Sequence, residues 1–255
     1  MTVVNEIDPR LKKLAIILKD SLMQSENKTN SEVLNLWSAH TLKESLEDPF
    51  FYERPITQPP LLTQDQYLDS LKSKNVPQKI IDIITLVNVD YRGFDNQIYH
   101  GQIIVHKDLV PSTIKIFKRI LNETDFPITS IFPISMFNWH SSSKCNNSAT
   151  FDWRFVFNSD EISDHAFGAA IDINPLINPW KNEGSINDPR MREISIKANY
   201  DQNKRGALHA NSDVVKIFKE EGWKWGGDWK NSKDWPHFYR PDIPLKYFDK
   251  VEVPE

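Results

Sequence analysis

The sequence predicts an α+β fold: a small, mainly antiparallel sheet with flanking helices, preceded by an N-terminal helical extension. Two observations carry this. Short β-like runs and helical stretches follow one another in mixed order instead of alternating regularly, which disfavours a doubly wound parallel sheet. The run Gly101-Gln-Ile-Ile-Val105 is rich in β-branched residues, as a strand is.

Taken in order, Leu11, Leu14, Leu18 and Leu22 form one helical stripe, and Ser31 stands before Glu32, Val33, Leu34 and Leu36 as an N-cap would. Pro49, Pro55, Pro59 and Pro60 then favour an extended linker. The expected division is therefore 1–60 as helical extension and linker, and 61–255 as the main domain. Within the latter the pattern predicts helices over 64–72 and 77–88, a strand at 101–105, and a helix from Pro111 through Leu121, with proline in its first turn. Further strands are expected at 128–133, 151–157 and 168–173, and a helix over 212–221 ending at Gly222. The stretch 174–211 is rich in Asn, Pro and Gly and reads as a long loop of the kind that covers a site.

Composition fits a globular chain. Of 255 residues, 39% are apolar and 26% charged, with 8 Trp and 14 Phe, so a sizeable core can be buried. Lys and Arg number 31 against 35 Asp and Glu, for a net charge of −4, and no basic stripe appears that would track phosphates. Nucleic acid is therefore not an expected partner. The single cysteine, Cys145, excludes an intrachain disulfide and a cysteine-rich zinc site. The apolar run 14–18 is cut off by Lys19-Asp20, too short for a secretory signal or a membrane span. The expectation is a chain that works in the cytoplasm or leaves by another route.

Chemistry concentrates in two segments. Ser163-Asp-His165-Ala-Phe-Gly168-Ala-Ala-Ile-Asp172 sets a histidine and an aspartate seven residues apart around a glycine. Asp172 lies between Ile171 and Ile173 in what looks like a buried strand, where a lone carboxylate is costly and a metal would partner it. The second segment is Asp234-Trp-Pro-His237-Phe-Tyr239, in which the Trp-Pro bend can turn Asp234 and His237 toward one cavity. Two imidazoles and one carboxylate leave a tetrahedral zinc ion one open position, the pattern of a catalytic site. Asp234 is then free to act as general base.

These segments resemble the zinc D-alanyl-D-alanine carboxypeptidase and L-alanyl-D-glutamate endopeptidase family, which includes VanY-like and phage endolysin peptidases. Ser163, His165, Gly168, Ala170 and Asp172 match its Ser-x-His-x-x-Gly-x-Ala-x-Asp pattern, and Asp234, His237 and Phe238 match its later acidic-x-x-His-Phe pattern. The similarity covers roughly residues 90–240. It implies a compact α+β fold shared with hedgehog-type domains, Zn2+ held by His165, Asp172 and His237, and Asp234 as base. It also implies that Arg154 stabilises a developing oxyanion or holds a substrate carboxylate, and that Ser163 touches the substrate's polar end. The implied substrates are peptidoglycan stem peptides or muropeptides, hydrolysed by metal-activated water. Asp at the base position leans toward the endopeptidase branch, with a D,D-carboxypeptidase or dipeptidase as the near alternative. Tyr239 departs from the Glu or Gln that many relatives carry there.

Blander readings stand beside these. A lone histidine is usually structural, and His40, His100, His106, His140 and His209, which lack matching partners, are read so. Trp223, Trp225, Trp229 and Trp235 read as core and rim packing before a carbohydrate platform. Asp234 alone would pass for a turn carboxylate, and Arg154 for a strand-edge ion pair. A non-catalytic zinc module that binds wall fragments is the alternative from another class, against which the retained base argues.

Overall fold

The computed structural model describes residues 61–136, 142–143, 145–156, 159–181 and 200–246. The expected N-terminal extension and linker, His40, His140 and the middle of the long loop, 182–199, lie outside the described residues.

Helix α1 (Gln64–Ser73) starts at Thr63, whose side chain accepts from the Gln66 backbone while the Gln66 side chain accepts from the Thr63 N–H. Two otherwise orphaned donors are satisfied in this way. A single turn, α2 (Gln78–Ile81), follows. The expected helix over 77–88 stops there, because the chain becomes strand β1 (Ile84–Arg92). Its physical signal is period two: Val87, Val89 and Tyr91 are buried while Asn88 and Asp90 are exposed. Strand β2 (Ile98–His106) pairs antiparallel with β1, from Ile84 opposite His106 to Arg92 opposite Ile98.

Helix α3 (Val110–Glu123) has proline in its first turn, as expected, and buries Thr113, Ile116, Phe117 and Ile120, spaced as one helical face. That face packs on β1 and on α4 (Asp213–Glu220), whose Val214, Val215, Ile217 and Phe218 are buried. Glu221 caps α4 and Gly222 follows with φ +82°, a left-handed turn of the expected kind.

The remaining strands are short. Strand β3 (Ser130–Ile131) pairs in parallel with β4 (Asn147–Ser148), the parallel exception among the described strands. Strand β5 (Ala170–Asp172), β9 (His237–Tyr239) and β7 (Lys224–Trp225) form an antiparallel sheet in the order β5-β9-β7. Strand β6 (Trp180–Lys181) pairs antiparallel with β8 (Lys233–Asp234), and a final helical turn, α5, spans Asp242–Leu245. The architecture is thus α+β with small, mostly antiparallel sheets. The strand expected over 151–157 reduces to one isolated bridge, Phe155 to Ile162.

The core lies beneath the three-stranded sheet and anchors it. Phe238 is fully buried and its ring stacks on Phe218 of α4 at 3.8 Å and 10°. Since side chains alternate along a strand, burying Phe238 turns its neighbours His237 and Tyr239 to the other face.

Candidate metal centre

His165 sits on a 3-10 turn, Asp164–Phe167, whose N-cap is Ser163; the Ser163 hydroxyl accepts from the His165 backbone N–H at 3.3 Å. Gly168 closes the turn at φ +63°. A Cβ there would lie 2.6 Å from the His106 nitrogen, so the position needs glycine for both conformation and space. The chain then enters β5, where Asp172 stands directly opposite His237 of β9. Facing residues on antiparallel strands bring their side chains together. The seven-residue interval and the distant His-Phe motif thus meet through one register.

The three side chains converge. His165 Nε2 lies 3.3 Å from Asp172 Oδ2, His237 Nδ1 lies 3.0 Å from Asp172 Oδ1, and the two rings are 5.1 Å apart. One ligand atom from each residue falls within 4.8 Å of the others, a group that could hold a metal ion. The donor set fits zinc: two imidazole nitrogens and one carboxylate, with side chains only 4%, 9% and 17% exposed. The His165 Nδ1 hydrogen-bonds to the Thr150 carbonyl, which leaves Nε2 as the nitrogen with a lone pair to offer.

The electrostatics favour a cation. Burial pushes the Asp172 carboxyl upward, but the imidazoles of His165 and His237 outweigh this and hold it well below the usual carboxylate range. Burial pushes His237 down, yet its hydrogen bond to Asp172 and the nearby carboxylates of Asp234 and Asp164 win and raise it. A place that raises an imidazole's affinity for a proton is one where positive charge is stabilised, and a metal ion could supply that charge in the proton's stead.

Asp234 reaches the same place by another route. It is on β8, opposite Trp180, and the Trp235-Pro236 bend carries the chain onward to His237. Trp225 fixes the bend by donating its indole N–H to the Trp235 carbonyl at 2.9 Å. Gly226 lets the two backbones touch, since a Cβ there would meet the Asp234 carbonyl at 2.6 Å. Burial pushes the Asp234 carboxyl up, the charge of Asp172 adds to this, and His237, His165 and Arg154 pull it back, leaving it at about 6. Arg154 therefore acts on Asp234 electrostatically, while its Nε lies 3.2 Å from the Asp152 carboxylate. The Arg154 carbonyl accepts from the Ser163 N–H at 3.1 Å, which brings these two residues side by side.

Two neighbours, Asp152 and Asp164, are not marked by the sequence patterns above. Asp152 braces Arg154, and burial raises its carboxyl against the pull of Arg154 and His165. Burial raises the Asp164 carboxyl against the pull of the His237 and His165 imidazoles. Tyr239 stacks on His237 at 5.3 Å and 21°, and its hydroxyl accepts from the Trp229 indole at 2.9 Å. Tyr239, marked in the sequence as a departure from the family pattern, lies two residues from His237 on one strand and so shares its face. Trp223 and Trp225 are buried core residues, and Trp229 and Trp235 form the rim, where Tyr200 stacks on Trp235 at 3.9 Å. His100 pairs with Asp90, His106 caps the turn after β2, and buried Cys145 packs with Ile177 and Ala207.

A His-Asp-His group that could hold a metal ion, with the half-buried Asp234 carboxyl alongside, is an arrangement suited to metal-assisted hydrolysis. The family described as D-alanyl-D-alanine carboxypeptidase matches the chain over residues 158–240, which include Ser163, His165, Asp172, Asp234 and His237 but not Arg154. The match supports the resemblance to the zinc D,D-peptidases and VanY-like enzymes, and with it a peptidoglycan-acting metallopeptidase. No solved structure matches the chain.

Proposed function

We propose that the protein is a zinc metallopeptidase that hydrolyses peptide bonds of peptidoglycan stem peptides, of the L-alanyl-D-glutamate endopeptidase type. The observation that carries the reading is the convergence of His165, Asp172 and His237 within 4.8 Å, with the half-buried Asp234 carboxyl beside them. His165 Nε2, Asp172 and His237 Nδ1 would hold the ion. Zinc bound there would supply Lewis acidity, lowering the pKa of a water toward ~7 and polarising the scissile carbonyl.

The remaining chemistry belongs to the chain. Asp234, raised toward neutrality by burial, accepts a proton from the attacking water and returns it to the leaving amine. Arg154, held by Asp152, offers a permanent forked positive charge to the oxygen that becomes anionic or to a substrate carboxylate. Ser163 serves the substrate's polar end through any hydroxyl lone pair not used on the His165 N–H. Tyr239 and Trp229 wall the His237 side and keep water from that ring.

The description of the matched family favours a second reading, a D,D-carboxypeptidase. Digestion of purified muropeptides followed by mass spectrometry separates the two. Cleavage between L-alanine and D-glutamate is the expected result; loss of terminal D-alanine alone overturns the endopeptidase reading, and binding without any cleavage overturns the enzymatic one.

A further inference from the structure

The segment 149–152 contributes no side chain to the proposed ligands or base, yet it touches the elements that carry them. Ala149 exchanges both backbone hydrogen bonds with Asp172, at 2.8 and 3.0 Å. Asp152 donates its N–H to the His165 carbonyl at 3.3 Å. Between them, the Thr150 carbonyl accepts from His165 Nδ1. A carbonyl oxygen can only accept, so this contact demands a hydrogen on Nδ1; in the neutral imidazole Nε2, 3.3 Å from Asp172 Oδ2, is then the nitrogen that carries the lone pair.

A backbone carbonyl is common to all residues; the threonine side chain is what makes this position particular. Thr150 is 2% exposed, and its hydroxyl accepts from the Ile104 N–H at 2.9 Å and donates to the Ile104 carbonyl at 2.5 Å. One side chain thus takes up both hydrogen bonds that a neighbouring strand would make with β2. Two residues further along β2, the His106 N–H donates to the Gly168 carbonyl at 2.9 Å. Strand β2 therefore holds the His165 turn at two points, at Gly168 directly and at the imidazole through Thr150.

We propose that Thr150 is a positioning residue of the metal centre: its hydroxyl pins the 149–152 segment to Ile104 so that its carbonyl fixes the ring orientation and tautomer of His165. The consequence for zinc rests on the metal reading above, whereas the tautomer is a property of the metal-free protein and is tested without it.

Three measurements on the full chain decide the matter. Long-range 1H–15N correlation spectra of the metal-free protein, at alkaline pH where imidazoles are neutral, should place the His165 hydrogen on Nδ1. Thr150→Val, which keeps the shape and removes the hydroxyl, should mix the tautomers and weaken zinc binding 10- to 100-fold in chelator competition, the usual effect of losing an outer-shell partner. Thr150→Ser, which keeps the hydroxyl, should retain the wild-type tautomer and affinity. A wild-type His165 protonated on Nε2, or a Thr150→Val protein unchanged in both measurements, overturns the assignment. Should Thr150→Val fail to fold, the wild-type spectrum and Thr150→Ser decide alone, and loss of the tautomer in the serine variant overturns it too. Wild-type protein that takes up no zinc overturns instead the metal reading.

Discussion

Asp234 and the three proposed ligands occupy one cluster but answer to different tests, because a general base moves a proton while a ligand holds a cation. Asp234→Asn keeps the size of the side chain and removes its ability to accept a proton, so activity should fall about 10²- to 10⁴-fold with zinc content near one per chain. A metal-free variant would make Asp234 a ligand, and a fully active one would move the base elsewhere. The pH profile follows from the same group. A base whose carboxyl titrates at about 6 is progressively protonated as the pH falls through that value, so kcat/KM should decline on the acid side. A bound cation favours the charged carboxylate and carries this limb to lower pH, so it should fall at or below pH 6 and vanish in Asp234→Asn. A limb that survives in the variant would belong to another group. Arg154→Ala should likewise spare the metal; if the guanidinium faces the developing oxyanion, kcat should drop by a factor on the order of 10² to 10³.

At the level of elements, the site depends on a turn that lets two backbones touch. Gly168 and Gly222 both adopt positive φ, but a Cβ at Gly168 would meet His106 and Val105 backbone at 2.6–2.8 Å, whereas at Gly222 the nearest atom is Arg240 Nη1 at 3.8 Å. Alanine at either position incurs the left-handed penalty of roughly 1–3 kcal/mol. Only Gly168→Ala also displaces the turn that carries His165. It should therefore lower Tm further than Gly222→Ala and lose zinc affinity, while Gly222→Ala keeps its zinc; equal losses would show that the close approach is not what positions His165. The same contrast shows what the sequence made legible. Gly168, the buried Asp172 and the Trp-Pro bend were all readable, because each is a local demand of backbone or burial. The registry of Asp172 against His237 was not, since nothing local tells which residues 65 positions apart will face each other. The alternation of the strand at 84–92 is legible from Val87 on, but the isoleucines at 80, 81, 83 and 84 mask its start, so the pattern predicts a helix over 77–88.

For the whole molecule, the centre joins segments that the chain otherwise connects only through the core. His165 and Asp172 come from one motif and His237 from a strand far along the sequence, held near them by the stacking of Phe238 on Phe218. An unfolded chain cannot present all three together, so an ion that binds here binds the native state and stabilises it by mass action. At a free zinc concentration 100 times Kd this amounts to about 2.7 kcal/mol, which for a domain of this size raises Tm by roughly 5–10 °C. Because the ion competes with a proton on His237, whose affinity for protons is raised, the zinc-dependent gain should shrink as the pH falls. Differential scanning calorimetry with zinc and with chelator, at two pH values, measures both effects. His165→Ala and His237→Ala should show no zinc-dependent shift while retaining a cooperative transition, since the core beneath the sheet does not include their rings. A shift of wild-type size in both variants would place the stabilising ion elsewhere in the chain and remove the metal from this centre.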